Sequence, residues 1–213
     1  ENYNKAVELN SPDKDYAAFQ KAISYGFVDR AANKISELKD FATKYPKSFY
    51  RDDALYELGN TYAAQNKIND AINTYDRLIT SLPNSSYVSR SLLKKALLLD
   101  NSGDSYGAIT TFKTVARDFP STPEALQAVS SAKVIYIDEG RVDEYAAWVS
   151  TLDFVDIEDS ELDDASYQAA ERPYLENKAG QAMTRFKEYL SQFPNGQHAL
   201  QAHFYLAQLQ FAD

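Results

Sequence analysis

The sequence predicts an all-α repeat fold built from antiparallel helical hairpins, and three observations predict it. Tyr45-Pro46, Leu82-Pro83, Phe119-Pro120 and Phe193-Pro194 fall at spacings of 37, 37 and 74, twice the first. Self-similarity at a fixed period of a few tens of residues is the mark of a stacked repeat array. Between these pairs, apolar residues recur at helical spacing. Ile68, Ala71, Ile72, Tyr75, Leu78 and Ile79 stand at offsets of 3, 4, 7, 10 and 11, one face of a helix. Gly and Pro number only 7 each in 213 residues, too few for a turn-dense β fold.

The clearest unit runs from Asp52 to Ser85. Ala54, Leu55, Leu58 and Tyr62 form the apolar stripe of a first helix, with Gly59 beside Leu58. Asn66 and Lys67 interrupt it, the Ile68–Ile79 stripe forms a second helix, and Pro83 ends the unit because it cannot continue a helix. Adding 37 gives Leu92, Lys95, Ala96, Leu99, Ala108, Phe112, Val115 and Pro120. An earlier copy reads Ala22, Tyr25, Leu38, Phe41 and Pro46, and a later one Ala170, Ala182, Phe186, Tyr189 and Pro194. The units run approximately over 12–46, 48–83, 85–120, 122–157 and 159–194, with a partial unit at 196–213. Small residues at Gly59, Ala71, Ala108 and Ala182 belong where paired helices cross. Tyr75, Phe112 and Phe186 belong in the wedge between one hairpin and the next.

Leu55, Leu58, Gly59, Tyr62, Ala71, Tyr75, Leu78 and Pro83 together resemble the tetratricopeptide repeat (TPR), with Leu55 and Leu78 in place of the family's usual Trp and last Ala. The resemblance covers nearly the whole chain. It implies a single α-solenoid over 1–213, a right-handed superhelix of about five hairpins with partial helices at the ends. The three residues beyond the family's 34-residue period belong in the loop around the proline or in a helix beside it.

Two places depart from the pattern. Between Val129 and Ile157, Lys133 and Tyr145 stand where small residues belong, Ile157 replaces the proline, and the only tryptophan, Trp148, lies one residue from the wedge position. Pro173 occupies the Tyr slot of a first helix, which predicts a kink or break just before it. Drift in one repeat and a functional bend both account for that. Residues 1–10 resemble the close of a preceding second helix, while 197–213 resembles a first helix without its partner. Phe204, Tyr205, Leu206, Leu209 and Phe211 are too apolar for a capping element, which predicts a longer array of which this chain is a part. The polar opening at Glu1 carries no signal-peptide pattern.

Charge narrows the partners. Residues 1–106 hold 14 acids and 14 bases, whereas 107–213 hold 17 and 8, giving the chain its net −9. Most of the excess lies in 138–164, centred on 153–164, a stretch read as a solvated linker and helix start or as an attractor for a basic partner. An acidic chain without a basic stripe argues against nucleic acid and anionic lipid. No apolar run approaches the length of a membrane span. There is no cysteine, and His198 and His203 sit five apart, off the spacing of a helical metal pair. No phosphate loop, nucleophile elbow or His-Glu-x-x-His motif is present, and Asp163 and Asp164 are adjacent on a helix and so diverge. Neither catalysis, a metal nor a cofactor is expected.

In the family it resembles, the first helices line a concave groove. Carried over, the first hairpin offers Tyr16, Phe19, Ile23 and Phe27, the second Asp53, Tyr56, Asn60 and Ala63, the third Arg90, Leu93, Leu97 and Asp100. The fourth offers Gln127, Ser130, Val134 and Ile137, the fifth Asp164, Tyr167, Glu171 and Tyr174, and the last helix Gln201, Phe204 and Gln208. The alternative use for these side chains is packing against neighbouring hairpins. Asn60, Arg90 and Lys94 fall near the positions of a carboxylate clamp, but Phe19 and Ile23 replace its Lys and Asn, so no clamp is expected. The resemblance implies a non-enzymatic scaffold for a peptide or protein partner. The loops Tyr45-Pro46-Lys47-Ser48 and Phe119-Pro120-Ser121-Thr122 are similar to those of bacterial cell-envelope members, the outer-membrane assembly lipoproteins and periplasmic cell-division coordinators. A regulatory or targeting module of a larger polypeptide and an end-to-end self-assembly module are the alternatives.

Overall fold

The computed structural model describes residues 13–156 and 158–212, and among them it holds eleven α-helices and no strand. The expected role of residues 1–10 and the substitution at Ile157 lie outside the described residues. The chain separates into two compact units, one up to Val115 and one from Ala116 onward.

The first unit contains α1 (Lys14–Ser24), a 3-10 turn at Tyr25–Val28, α2 (Ala31–Lys44), α3 (Arg51–Ala64), α4 (Ile68–Ser81), α5 (Val88–Asn101) and α6 (Ser105–Asp118) as far as Val115. Helices α3 and α4 are 14 residues each. The turn between them is short, and a longer connection around Pro83 separates α4 from α5. There the Leu82 N–H still bonds Leu78 O and the Ser85 N–H bonds Leu82 O.

The hairpin turns carry a second periodic signal. Asp29, Asn66, Gly103, Gly140 and Asn177 all have positive φ, from 54° to 86°, at a strict spacing of 37. Each follows the end of a first helix or its 3-10 extension, where a left-handed residue reverses the chain; Gly, Asn and Asp tolerate that region best. The next residue closes every turn by donating its N–H five residues back. These bonds are Arg30 to Tyr25 O, Lys67 to Tyr62 O, Asp104 to Leu99 O, Arg141 to Tyr136 O and Lys178 to Pro173 O, at 2.8–3.0 Å.

Close packing follows from the small residues. A Cβ on Gly59 would lie 2.5–2.9 Å from Tyr75 ring carbons, and the Tyr75 hydroxyl is tied to Asn60 Oδ1 at 2.8 Å. The equivalent sites use Ala96 with Phe112 and Ala170 with Phe186, pairs without that hydroxyl tether. Gly59→Ala gains about 1 kcal/mol of helix propensity. Overpacking against a tethered ring costs roughly 1–3 kcal/mol. Net destabilisation is expected, read by denaturant unfolding, and Tyr75→Phe in the same chain should recover part of it. An unchanged midpoint for Gly59→Ala alone would show that the crossing is loose.

The second unit contains α7 (Pro123–Glu139), α8 (Val142–Val149), α9 (Asp159–Leu175), α10 (Ala179–Gln192) and α11 (Ala199–Ala212). Thr122 caps α7 by accepting the Ala125 N–H at 3.1 Å, with Pro123 in the first helical position. The irregular hairpin is real. Helix α8 is only 8 residues long. Ser150 and Thr151 turn their hydroxyls back onto Ala147 O and Trp148 O, the local bonding with which such residues end helices. Buried Val149 holds the wedge position, and Tyr145 and Trp148 pack against Tyr136 at ring separations of 6.0 and 6.5 Å.

Of the kink or break expected before Pro173, the break is absent. Helix α9 runs on to Leu175 with Pro173 buried in its last turn. A proline cannot donate to the carbonyl four residues back, here that of Ala169. Arg185 Nη1 donates to Ala169 O at 3.1 Å instead, and Nη2 donates to Glu139 O at the end of α7 at 2.8 Å. The acidic stretch divides as well. Asp153 and Asp156 are exposed and outside any helix, while Asp159 and Glu161 open α9, where acids suit the helix dipole. Asp163 is buried, against the expectation of a solvated run.

Candidate functional site: the first-helix face

On the first unit, aromatic side chains of the first-helix face are engaged by the start of the following first helix. Tyr50, which precedes α3, stacks on Phe19 at 5.6 Å and 12° and lies 5.3 Å from Tyr16. Tyr87, which precedes α5, stacks on Tyr56 at 4.6 Å and donates its hydroxyl to Asp53 at 2.8 Å. Acceptance by the Asp53 carboxylate, with burial, pushes that phenol up to about 12. Asn60 accepts from Tyr75, and Leu93 is buried. Tyr16 keeps nearly half its surface, Arg90 is exposed on α5, and Phe27 is exposed on the 3-10 turn.

The same stack recurs in the second unit. His198 lies on buried Tyr167 at 4.3 Å and meets Asp164 through Nε2 at 2.7 Å. Tyr167 donates to Glu171 at 2.7 Å; burial and that bond raise its hydroxyl well above the ordinary tyrosine range. Tyr174 stacks on Tyr205 at 4.3 Å and donates to Gln208 at 2.8 Å. Gln127 and Phe204 are exposed, the latter at 55%. Phe19, Leu93 and Tyr167 thus have little surface for a partner, while Tyr16, Gln127 and Phe204 have more.

A further recurring contact ties the loop to its own hairpin in three of the repeats. Ser48 donates to Asp15 at 2.6 Å and Ser85 to Asp52 at 2.7 Å, both pairs 33 apart. In the second unit the equivalent positions are Asp163 and Gly196. The carboxylate there accepts the Gln197 N–H at 2.6 Å and the Tyr189 hydroxyl at 2.5 Å. A Cβ on Gly196 would fall 2.7 Å from both the carboxylate and the phenol, so the missing side chain lets the backbone take the serine's place.

One open part of the face is a groove of about 310 Å³ in the second unit, lined from α7 by Val134, Ile137 and Asp138 and from α9 by Gln168, Glu171, Arg172 and Leu175. Val134 is 57% exposed and Leu175 67%. Arg172 is ion-paired with Asp138 and reaches Glu176 at 3.8 Å. Val134, Ile137 and Glu171 were expected on this face. Leu175 was not, because it reaches the groove only on a helix that continues through Pro173. Among the described residues no cluster of His or carboxylates suited to a metal is present, and no helix is long and apolar enough to cross a membrane.

Residues 53–85 and 90–122 match the family model of the tetratricopeptide repeat. These two segments, in the first unit and at its junction with the second, are similar to TPR repeats. It is 29% identical over 89 residues to the TPR repeat-containing protein MJ0263 of Methanocaldococcus jannaschii, an alignment spanning 40% of this chain and 28% of that protein. This chain therefore corresponds to under a third of that curated relative. Among solved structures, a tetratricopeptide repeat protein from Parabacteroides merdae aligns over 92% of this chain and 72% of its own, with a TM-score of 0.55 and 15% identity. MamA aligns over 83% of this chain and 81% of its own at 0.54 and 19%. YrrB, described as a TPR protein with an unusual peptide-binding site, aligns over 95% and 98% at 0.54 and 15%. Likeness at this identity concerns the TPR fold.

Proposed function

We propose that this TPR chain is a non-enzymatic interaction module that takes a peptide or protein partner on its first-helix face, with the α7–α9 groove of the second unit as the principal contact. The observation that carries the proposal is the juxtaposition of exposed Val134 and Leu175 on neighbouring first helices, beside fixed polar groups. Apolar floor with a few oriented polar groups is the usual composition of a peptide groove. Likeness in fold to YrrB supports it. Selection of peptides from an unbiased displayed library on the immobilised protein should enrich binders, and their addition should shift α7 and α9 amide resonances. Failure to enrich any peptide, or shifts confined to other helices, would overturn the proposal.

The same proposal places the protein in the bacterial cell envelope, on the similarity of its Pro-Lys-Ser and Pro-Ser-Thr loops to envelope members. Fractionation of native cells probed for the full-length protein tests this; recovery solely with cytoplasmic markers would refute it.

A second use is favoured by α11, where Leu200, Phe204 and Phe211 are 85%, 55% and 93% exposed. Such a face suits end-to-end association between copies. Light scattering should show mass rising with concentration, abolished by Phe211→Glu. A strict monomer across a wide concentration range sinks it.

A further inference from the structure

We infer that the α7–α9 groove selects a cationic amphipathic peptide, an inference that rests on the peptide-binding function proposed above and names its charge class. The charge of the chain is divided unevenly between its units. Up to Val115 there are 14 acids and 15 bases, and from Ala116 onward 17 acids and 7 bases. All the net negative charge therefore belongs to the unit that holds the groove. Within the groove the charged groups are Asp138, Glu171 and Arg172. Arg172 is committed to Asp138 and Glu176, and Glu176 is also paired with Lys178 at 2.7 Å. Glu171 has one oxygen engaged by the Tyr167 hydroxyl.

An anionic peptide would meet a guanidinium already held by two carboxylates, in the field of a strongly acidic unit. A cationic one would be steered toward it and would find Glu171 and the rim of Asp138. The apolar patches of Val134, Ile137 and Leu175 then require large aliphatic or aromatic side chains on the same face of the peptide. A second copy of this groove is disfavoured as the occupant, because it would bring the same excess of carboxylates against itself.

The test uses two fluorescein-labelled helical peptides of identical length, one built of Leu and Lys and the other with every Lys replaced by Glu. Anisotropy should show the Leu-Lys peptide bound at low salt and weakened roughly tenfold or more at high salt. Val134→Ser with Leu175→Ser should weaken it by about tenfold, and Glu171→Gln by about fivefold, while leaving the circular-dichroism melt unchanged because these side chains are exposed or only partly buried. Binding of the Leu-Glu peptide as tight as that of the Leu-Lys peptide would overturn the charge assignment and leave the peptide-binding function standing. Leu-Lys binding indifferent to all three substitutions would place it on the acidic surface at large and overturn the site. If no peptide of either sign bound, the peptide-binding function itself would fall.

Discussion

Asp163→Ala is expected to destabilise the second unit by about 3–6 kcal/mol, the sum of two hydrogen bonds to a charged acceptor at roughly 1.5–3 kcal/mol each. The carboxylate is 5% exposed and holds the Tyr189 hydroxyl on one oxygen and the Gln197 N–H on the other. Tyr189 in turn accepts the His198 N–H at 3.2 Å, so removing the carboxylate loosens the start of α11 as well. Alanine would leave the buried Tyr189 hydroxyl and the partly buried Gln197 N–H without this acceptor. The control is Asp52→Ala, which loses the partly buried bonds from the Ser85 hydroxyl and the Asp53 N–H and, on a half-exposed carboxylate, should cost only about 1–2 kcal/mol. Denaturant unfolding of the two variants checks the ratio. Equal losses would show that the buried carboxylate contributes no more than its half-exposed counterpart.

Arg185→Met should cost about 2–4 kcal/mol, because it removes both guanidinium donors while keeping a long apolar stem. The two carbonyls left behind, those of Ala169 and Glu139, lie on different helices, so the end of α9 and the end of α7 both lose a tie. Gly140 belongs to the same device. A Cβ there would lie 2.1 Å from the guanidinium carbon, and its φ of 68° disfavours a side chain independently. The decisive comparison is a double-mutant cycle with Pro173→Ala. Alanine restores the backbone N–H that the Ala169 carbonyl lacks, so Arg185→Met should cost about 1 kcal/mol less in that background. Strict additivity would mean that Arg185 does not stand in for the proline's missing donor.

The repeat order was legible because each hairpin buries its stripe mostly against its own partner and nearest neighbour. Local periodicity therefore carries the tertiary pattern. The prolines marked four unit ends, and the wedge aromatics Tyr75, Phe112 and Phe186 are all fully buried as that pattern requires. The left-handed series Asp29, Asn66, Gly103, Gly140 and Asn177 is as regular but emerged only with the backbone angles, and it persists in the irregular hairpin where the proline is missing. It escapes a search for apolar periodicity because its residues are unalike except in tolerating positive φ.

The groove was less legible. Position along a first helix shows which side chains face the same way, but not which are covered. Phe19, Tyr56 and Tyr167 occupy equivalent places and look like partner contacts until Tyr50, Tyr87 and His198 are found stacked upon them. Those stacking residues lie 31 positions downstream, at the start of the next first helix. Only the packing of one hairpin on the next brings them over the face.

By itself, then, the sequence determined the helical hairpin, its 37-residue repeat, the crossing and wedge residues and the acidity of the second half, all consequences of local spacing and composition. The tertiary structure decided that α9 passes through Pro173, that Asp163 is a buried acceptor, and that Leu175 joins Val134 in an open groove. Each of these depends on a donor or a covering ring supplied from a distant part of the chain. A proline breaks a helix only when nothing else satisfies the freed carbonyl, and here Arg185 satisfies it from the neighbouring helix.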